Sequence, residues 1–290
     1  MSYGAKLSAA VALVTALTGC KSEPPSTDQS KSVESSAQAT TSAPAAITVT
    51  ANDFSFDAPG KVPAGAVTMR LVNKGKELHH AQLIRVEDGK TMADVAKVLT
   101  NPGPPPAWVK FVGGPNAVLP GKETHATSVL TPGLYAYWCF IPSPDRVIHA
   151  SKGMVRPFEV TAAETAVTEL PAPDATIKLV DYDFHLSAPL TAGKRTILVE
   201  NAGPQLHEVA LLKLAPGKTV ADFAAWEAGG MKGPPPAEPI GGVVALDKGG
   251  SATFTADLTP GDYGLLCFVP DAKDGKPHLV HGMIKTIKVG

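Results

Sequence analysis

Hydrophobic and polar positions alternate in short runs along most of the chain. Val67-Thr-Met-Arg-Leu-Val and Ala252-Thr-Phe-Thr-Ala-Asp-Leu put an apolar side chain at every second position, the period of a strand with one face buried. Gly and Pro punctuate these runs, and the pattern predicts antiparallel strands of a sandwich or barrel. Two stretches read differently. Thr91-Met-Ala-Asp94-Val-Ala-Lys-Val-Leu and Thr219-Val-Ala-Asp222-Phe-Ala-Ala-Trp each start with a Thr N-cap followed by Asp three residues on, which predicts a short helix. Gly-Pro-Pro-Pro follows both (103–106 and 233–236), so each insert is expected to be a helix plus a lid beside the strands.

The chain is written twice. Pro63-Ala-Gly65 answers Thr191-Ala-Gly193, Leu78-His79 answers Leu206-His207, and Thr131-Pro-Gly-Leu-Tyr135 answers Thr259-Pro-Gly-Asp-Tyr263, at a common offset of 128 residues. The fold class expected is therefore all-β, with two tandem sandwich domains at 46–161 and 176–290. An Ala/Glu/Pro/Asp-rich linker at 162–175 joins them. Each repeat is long enough to bury a core.

Upstream, Lys6 and an apolar run from Leu7 to Leu17 have the layout of a secretory signal and are too short to span a bilayer. Leu17-Thr-Gly-Cys20 resembles a bacterial lipobox, which implies a signal peptide at 1–19, lipidation of Cys20 and a membrane-tethered exported protein of the cell envelope. Residues 20–45, rich in Ser, Thr, Pro and charge, have too little to bury and are expected to be a disordered tether. The net charge of −1 gives no reason to expect nucleic acid as a partner.

Composition leaves Cys139 and Cys267 once Cys20 is assigned to lipid. Each closes a strand-like run, Tyr135-Ala-Tyr-Trp-Cys139 and Tyr263-Gly-Leu-Leu-Cys267, and each is followed by a Pro-containing loop with His and then Gly-Met. Two imidazoles, a thiolate and a weak thioether are the donors of a type 1 copper site, and this soft set suits copper better than calcium or magnesium. Both repeats supply it: His79, Cys139, His149 and Met154, then His207, Cys267, His278 and Met283. His281 competes with His278, being nearer to Met283; repeat 1 has Lys152 at that place. A disulfide between Cys139 and Cys267 is chemically allowed in an exported protein, but equivalent positions of two sandwiches seldom come within bridging distance. His80 is matched by Glu208, so it reads as a strand neighbour. His125 and His185 have no His counterpart and read as surface residues.

At these motifs the chain resembles the cupredoxins, the plastocyanin- and azurin-like blue copper proteins. The running order is Phe-x-Phe-x-x-Pro, then Ala-Gly, an Asn before the first His, Pro-Gly-x-Tyr-x-x-x-Cys-x-x-Pro and His…Gly-Met. It covers 47–160 and again 177–289. The resemblance implies Greek-key sandwiches, up to two type 1 coppers and electron transfer outside the cytoplasmic membrane to an unknown redox partner protein. Nine residues separate Cys139 from His149, and ten separate Cys267 from His278, more than is usual in that family. A copper storage or delivery protein, and a binding module with degenerate sites, are the alternatives. Two-domain copper oxidases and nitrite reductases are also built from paired cupredoxin domains. They commonly use His-x-His pairs, which this sequence lacks, so no catalytic residue is assigned and the chain is expected not to be an enzyme.

Overall fold

The structure is a computed structural model that describes residues 43–100 and 105–290. The expected signal peptide, the expected lipidation site Cys20 and the expected tether up to residue 42 lie outside the described residues. The fold class is the expected one, all-β, with a short helix in each half. Among the described residues no helix is long and apolar enough to cross a membrane.

Alternating patterns become strands with alternating burial. In Gly65–Asn73, Val67, Met69 and Leu71 are fully buried while Arg70 is exposed. The expected helices are Met92–Thr100 (α1) and Val220–Ala228 (α2). Thr219 Oγ1 accepts from Asp222 N at 3.2 Å while Thr219 N donates to the Asp222 carboxylate at 2.7 Å. Thr91 and Asp94 make the same reciprocal pair. Two of the four free amides at the start of each helix are thereby satisfied.

Each repeat contributes strands to two sheets. The first half supplies a sheet ordered Lys61–Pro63, Val155–Thr161, Gly133–Trp138, Gln82–Val86, Val109–Phe111. The second half repeats this with Ile284–Val289, Gly261–Leu266, His207–Leu214 and Ala237–Leu246. The other sheet is shared. Glu123–Leu130 pairs antiparallel with Ser251–Leu258, fusing four strands from each half into eight.

This join is a pseudo-twofold. Ala126 lies opposite Phe254, its own counterpart one repeat later, and Pro115 lies opposite Val243, again its counterpart. Such self-complementary pairing is what an isologous interface between two copies looks like. Residues 112–118 and 240–246 cross there with Gly114 and Gly242 at positive φ (119° and 116°). A Cβ on Gly114 would collide with Ala81 O, and one on Gly242 with Val209 O, so glycine permits the close approach. The buried core crosses the join as well: Ile84, Phe111 and Trp138 of the first half cluster with Leu211, Val243 and Leu265 of the second. Residues 162–174 between the halves form neither helix nor strand.

Candidate metal centres

Each centre takes its Cys, second His and Met from one strand end and the loop after it, and its first His from a neighbouring segment. Thr131-Pro-Gly-Leu-Tyr135 folds into a corner in which Tyr135 Oη donates to Thr131 O at 3.0 Å and Tyr263 Oη to Thr259 O at 2.9 Å, a fixed entry to a sandwich strand. Four residues later each strand delivers its Cys to the interior. Both thiols are fully buried and free, so the two cysteines are not bridged.

The loop after Cys139 explains the long spacing to His149. Pro142 bridges Ile148, and Ser143 N donates to Val147 O at 3.0 Å, so the extra residues form a small hairpin that returns to its base. His149 N then donates to Ile141 O, and Ala150 N to Cys139 O. The second loop does the same through Pro270 and Pro277, His278 N and Val269 O, and Leu279 N and Cys267 O. A single 3-10 turn, His149–Lys152 or His278–His281, ends at a left-handed glycine, and Met154 or Met283 follows. Met154 N donates to His149 O and Met154 O accepts from Cys139 N; Met283 is tied to His278 and Cys267 in the same way. Both methionines are fully buried.

The first His is held by Asn73, whose Nδ2 donates to Glu77 O and Val118 O and whose Oδ1 accepts from Gly75 N. Asn201 repeats this with Gln205 O, Leu246 O and Gly203 N. The two glycines leave room for an imidazole: a Cβ on Gly75 would sit 2.5 Å from His79 Nε2, and one on Gly203 2.6 Å from His207 Nε2.

The side chains then converge. His79 Nδ1 lies 3.1 Å from His149 Nδ1, and Cys139 Sγ lies 3.4 Å from His149 Nδ1 and 4.0 Å from His79 Nδ1. In the second half Cys267 Sγ is 3.5 Å from His278 Nδ1, and the donor atoms of His207, Cys267 and His278 lie within 4.8 Å of one another. Two nitrogens bound at about 2.0 Å to one ion, roughly 100–120° apart, are about 3.1–3.5 Å from each other. The first centre matches this spacing.

Behind each imidazole stands a carboxylate. His79 Nε2 donates to Asp53 at 3.2 Å and His149 Nε2 to Glu77 at 2.9 Å. His207 Nε2 donates to Asp181 at 2.5 Å, while His278 Nε2 lies 3.7 Å from Asp271 and makes no hydrogen bond. A carboxylate accepts only, so Nε2 carries the proton in the three bonded rings and Nδ1 faces inward with a lone pair. His79 and His149 thus direct two lone pairs at each other and at a sulfur, and His207 Nδ1 is buried without a partner. A cation satisfies all of these donors at once.

Burial works in the same direction. It lowers His79 and His207, and takes His278 down to about 4, keeping these imidazoles neutral near pH 7. It pushes the Cys139 thiol up to about 12 and the Cys267 thiol higher, so a metal ion is what would draw out the thiolate. The residues present therefore fit a soft metal ion in each half.

The structure separates the two candidate histidines of repeat 2. His278 is fully buried against Cys267, whereas His281 is part-exposed and pairs with Asp274 at 3.1 Å. His80 and Glu208 are strand neighbours that serve the same end: His80 Nε2 accepts from Phe140 N at 2.8 Å, and Glu208 Oε1 from Phe268 N at 3.0 Å. Each holds the amide after its cysteine. Desolvation lowers His80 to about 3 and raises Glu208 to about 7. His185 is exposed as expected, but His125 is half-buried on the strand that joins the halves. The four carboxylates were missed by sequence reading. Asp53 and Asp181 could have been found, since they stand at the repeat offset.

No family model matches the chain, and no curated relative does. Among solved structures it is similar to auracyanin A of Chloroflexus aurantiacus, a blue copper protein, at 17% identity over 41% of this chain and all of that one, with a TM-score of 0.31. It is also similar to a blue copper oxidase from Nitrosomonas europaea, at 14% identity over 85% of this chain and 86% of that one (TM-score 0.26). A third is a copper-containing nitrite reductase from Thermus scotoductus, at 12% identity over 84% of this chain and 61% of that one (TM-score 0.23). Likenesses at these TM-scores carry no argument about this chain's chemistry. The expectation that the chain is not an enzyme is nonetheless corrected, because oxidases and a reductase stand among its structural neighbours.

Proposed function

We propose that each half, 46–161 and 176–290, is a domain holding one type 1 copper ion, and that the chain passes single electrons outside the cytoplasmic membrane. The observation that carries this is the pair of inward Nδ1 lone pairs 3.1 Å apart beside the buried Cys139 thiol, with the same donors gathered in the second half. His79, Cys139 and His149 would hold one ion with Met154 as the weak fourth donor; His207, Cys267, His278 and Met283 would hold the other. Bound copper supplies a one-electron couple. The protein's part is to fix the imidazoles through Asp53, Glu77 and Asp181, to anchor each cysteine loop through His80 or Glu208, and to keep water away: all four imidazole side chains are fully buried. Lipidation at Cys20 would tether the protein to a membrane, where a redox partner protein meets it.

Copper titration of the protein, read by visible and paramagnetic-resonance spectra, tests the reading. Two equivalents with thiolate-to-copper charge-transfer colour are expected, falling to one in Cys139→Ala or Cys267→Ala. A colourless protein that takes up no copper after oxidation would falsify it. Cys20→Ser is expected to release the protein from the membrane fraction. A copper reservoir is the second reading, favoured by the complete burial of the imidazole edges. Slow electron exchange at full copper(I) loading would select it.

A further inference from the structure

Between the two halves lies a cavity of about 1010 Å³, at the upper end of the roughly 300–1,000 Å³ typical of small-molecule sites. We propose that it binds a flat aromatic ring bearing a hydroxyl group.

The walls argue for a ring. Trp138 and Phe140 of the first half stand edge-on to each other with centroids 5.2 Å apart, and Phe223 and Phe268 of the second stand edge-on at 6.4 Å. All four line the cavity. A ligand ring between two such pairs gains offset and edge-to-face contacts that a saturated chain of equal area does not.

The polar lining argues for a hydroxyl. Glu208, buried and lining the cavity, uses its carboxylate for Phe268 N and for Asn116 Nδ2. A carboxylate has about four acceptor positions, so it has capacity left for a donor. A hydroxyl on the ring supplies that donor, and a wholly apolar ligand does not.

The place of the cavity gives the occupant a connection to the centres. Phe140 and Phe268 are the residues bonded directly after Cys139 and Cys267, and Leu78 and Leu206, also in the wall, directly precede His79 and His207. The ring would lie against the next residue to each thiol. The site nonetheless needs no metal, and binding is therefore measured in the copper-free full chain, so its outcome is independent of the copper titration.

The probes are 2-naphthol, naphthalene and decahydro-2-naphthol, by equilibrium dialysis and calorimetry. 2-Naphthol is expected to bind one per chain, with each of the other two at least about tenfold weaker. Ala210→Phe, which fills the cavity from the strand His207–Leu214, is expected to abolish binding. Equal affinity for naphthol and naphthalene, no saturable binding of naphthol, or binding undiminished in Ala210→Phe would each overturn the proposal. The three-ligand series on the unaltered protein decides it even if a variant fails to fold.

Discussion

In the first half Glu77, two residues before His79, accepts the outer N–H of His149 at 2.9 Å. In the second half the same position is Gln205, and the nearest carboxylate to His278 comes from the opposite loop, four residues after Cys267. Gln205 has not lost its role: its Nε2 donates to Asp271 at 3.0 Å, and its Oε1 accepts from Ala272 N. Where Asp271 stands, the first half has Ser143. The acid has changed loops while the requirement for one has stayed, which marks the outer carboxylate as part of the imidazole's environment rather than an accident of one loop. The exchange is not complete, since 3.7 Å is too long for a hydrogen bond. Asp53 and Asp181, behind the first His of each half, have not moved.

The largest effects are expected where the halves are alike. Gly114→Ala and Gly242→Ala each place a Cβ against a backbone oxygen at positive φ. Strain and overpacking together cost on the order of 3–5 kcal/mol. Denaturant unfolding should show similar losses in the two variants, because the join is pseudo-symmetric. If one is tolerated and the other not, the join is held from one side only.

The next effect is expected where they differ. Glu77→Ala removes a bonded acceptor from His149 and should weaken copper at the first centre about 10–100-fold, the usual scale for such partners. Asp271→Ala removes a carboxylate that only approaches His278, and the second centre should weaken by about tenfold or less. Ser143→Ala should change nothing. Competition titrations with a chelator, centre by centre in Cys→Ala backgrounds, give the ranking; a larger loss in Asp271→Ala than in Glu77→Ala reverses the comparison.

Thr91→Ala and Thr219→Ala probe the inserts. Each loses one reciprocal cap, worth about 1 kcal/mol. Equal shifts in thermal midpoint are expected; a loss confined to one would show that the two helices are held by different contacts.

The repeat and the two clusters His79/Cys139/His149 and His207/Cys267/His278 were legible in sequence because strand alternation, Pro-Gly-x-Tyr corners and the His and Cys spacings are local patterns. The offset, 128 residues up to Cys267 and 129 from His278 on, then checked each reading twice. His278 was separable from His281 only in space: both lie on one 3-10 turn, and the turn directs His278 inward and His281 to Asp274. Asp271 was illegible because its partners, Tyr182 and Gln205, come from two other loops. The fused sheet was illegible for a similar reason, since Glu123–Leu130 and Ser251–Leu258 look like any edge strands until the second copy pairs with the first.

The smallest expected effect concerns position 54/182. Phe54 stands edge-on to His149 at 5.3 Å, with Lys152 over its ring; Tyr182, its counterpart, stands edge-on to His278 at 5.3 Å and adds a hydroxyl that donates to Asp271 at 2.5 Å. The ring is common to both halves, so its contact with the imidazole edge should survive Tyr182→Phe. The hydroxyl is the difference. Together with Gln205 it holds the Asp271 carboxyl below its usual range. Without it Gln205 still donates, and Lys273 N still donates to Asp271 Oδ1, so the carboxylate should keep its place. Copper affinity at the second centre should fall less than about threefold, within the low end of outer-partner effects. Phe54→Tyr in the first half, where Ser143 replaces the acid, should leave affinity unchanged. A tenfold loss in Tyr182→Phe would mean that the hydroxyl, not Gln205, positions Asp271. The relocated acid would then depend on an aromatic residue whose counterpart in the first half has no hydroxyl to offer.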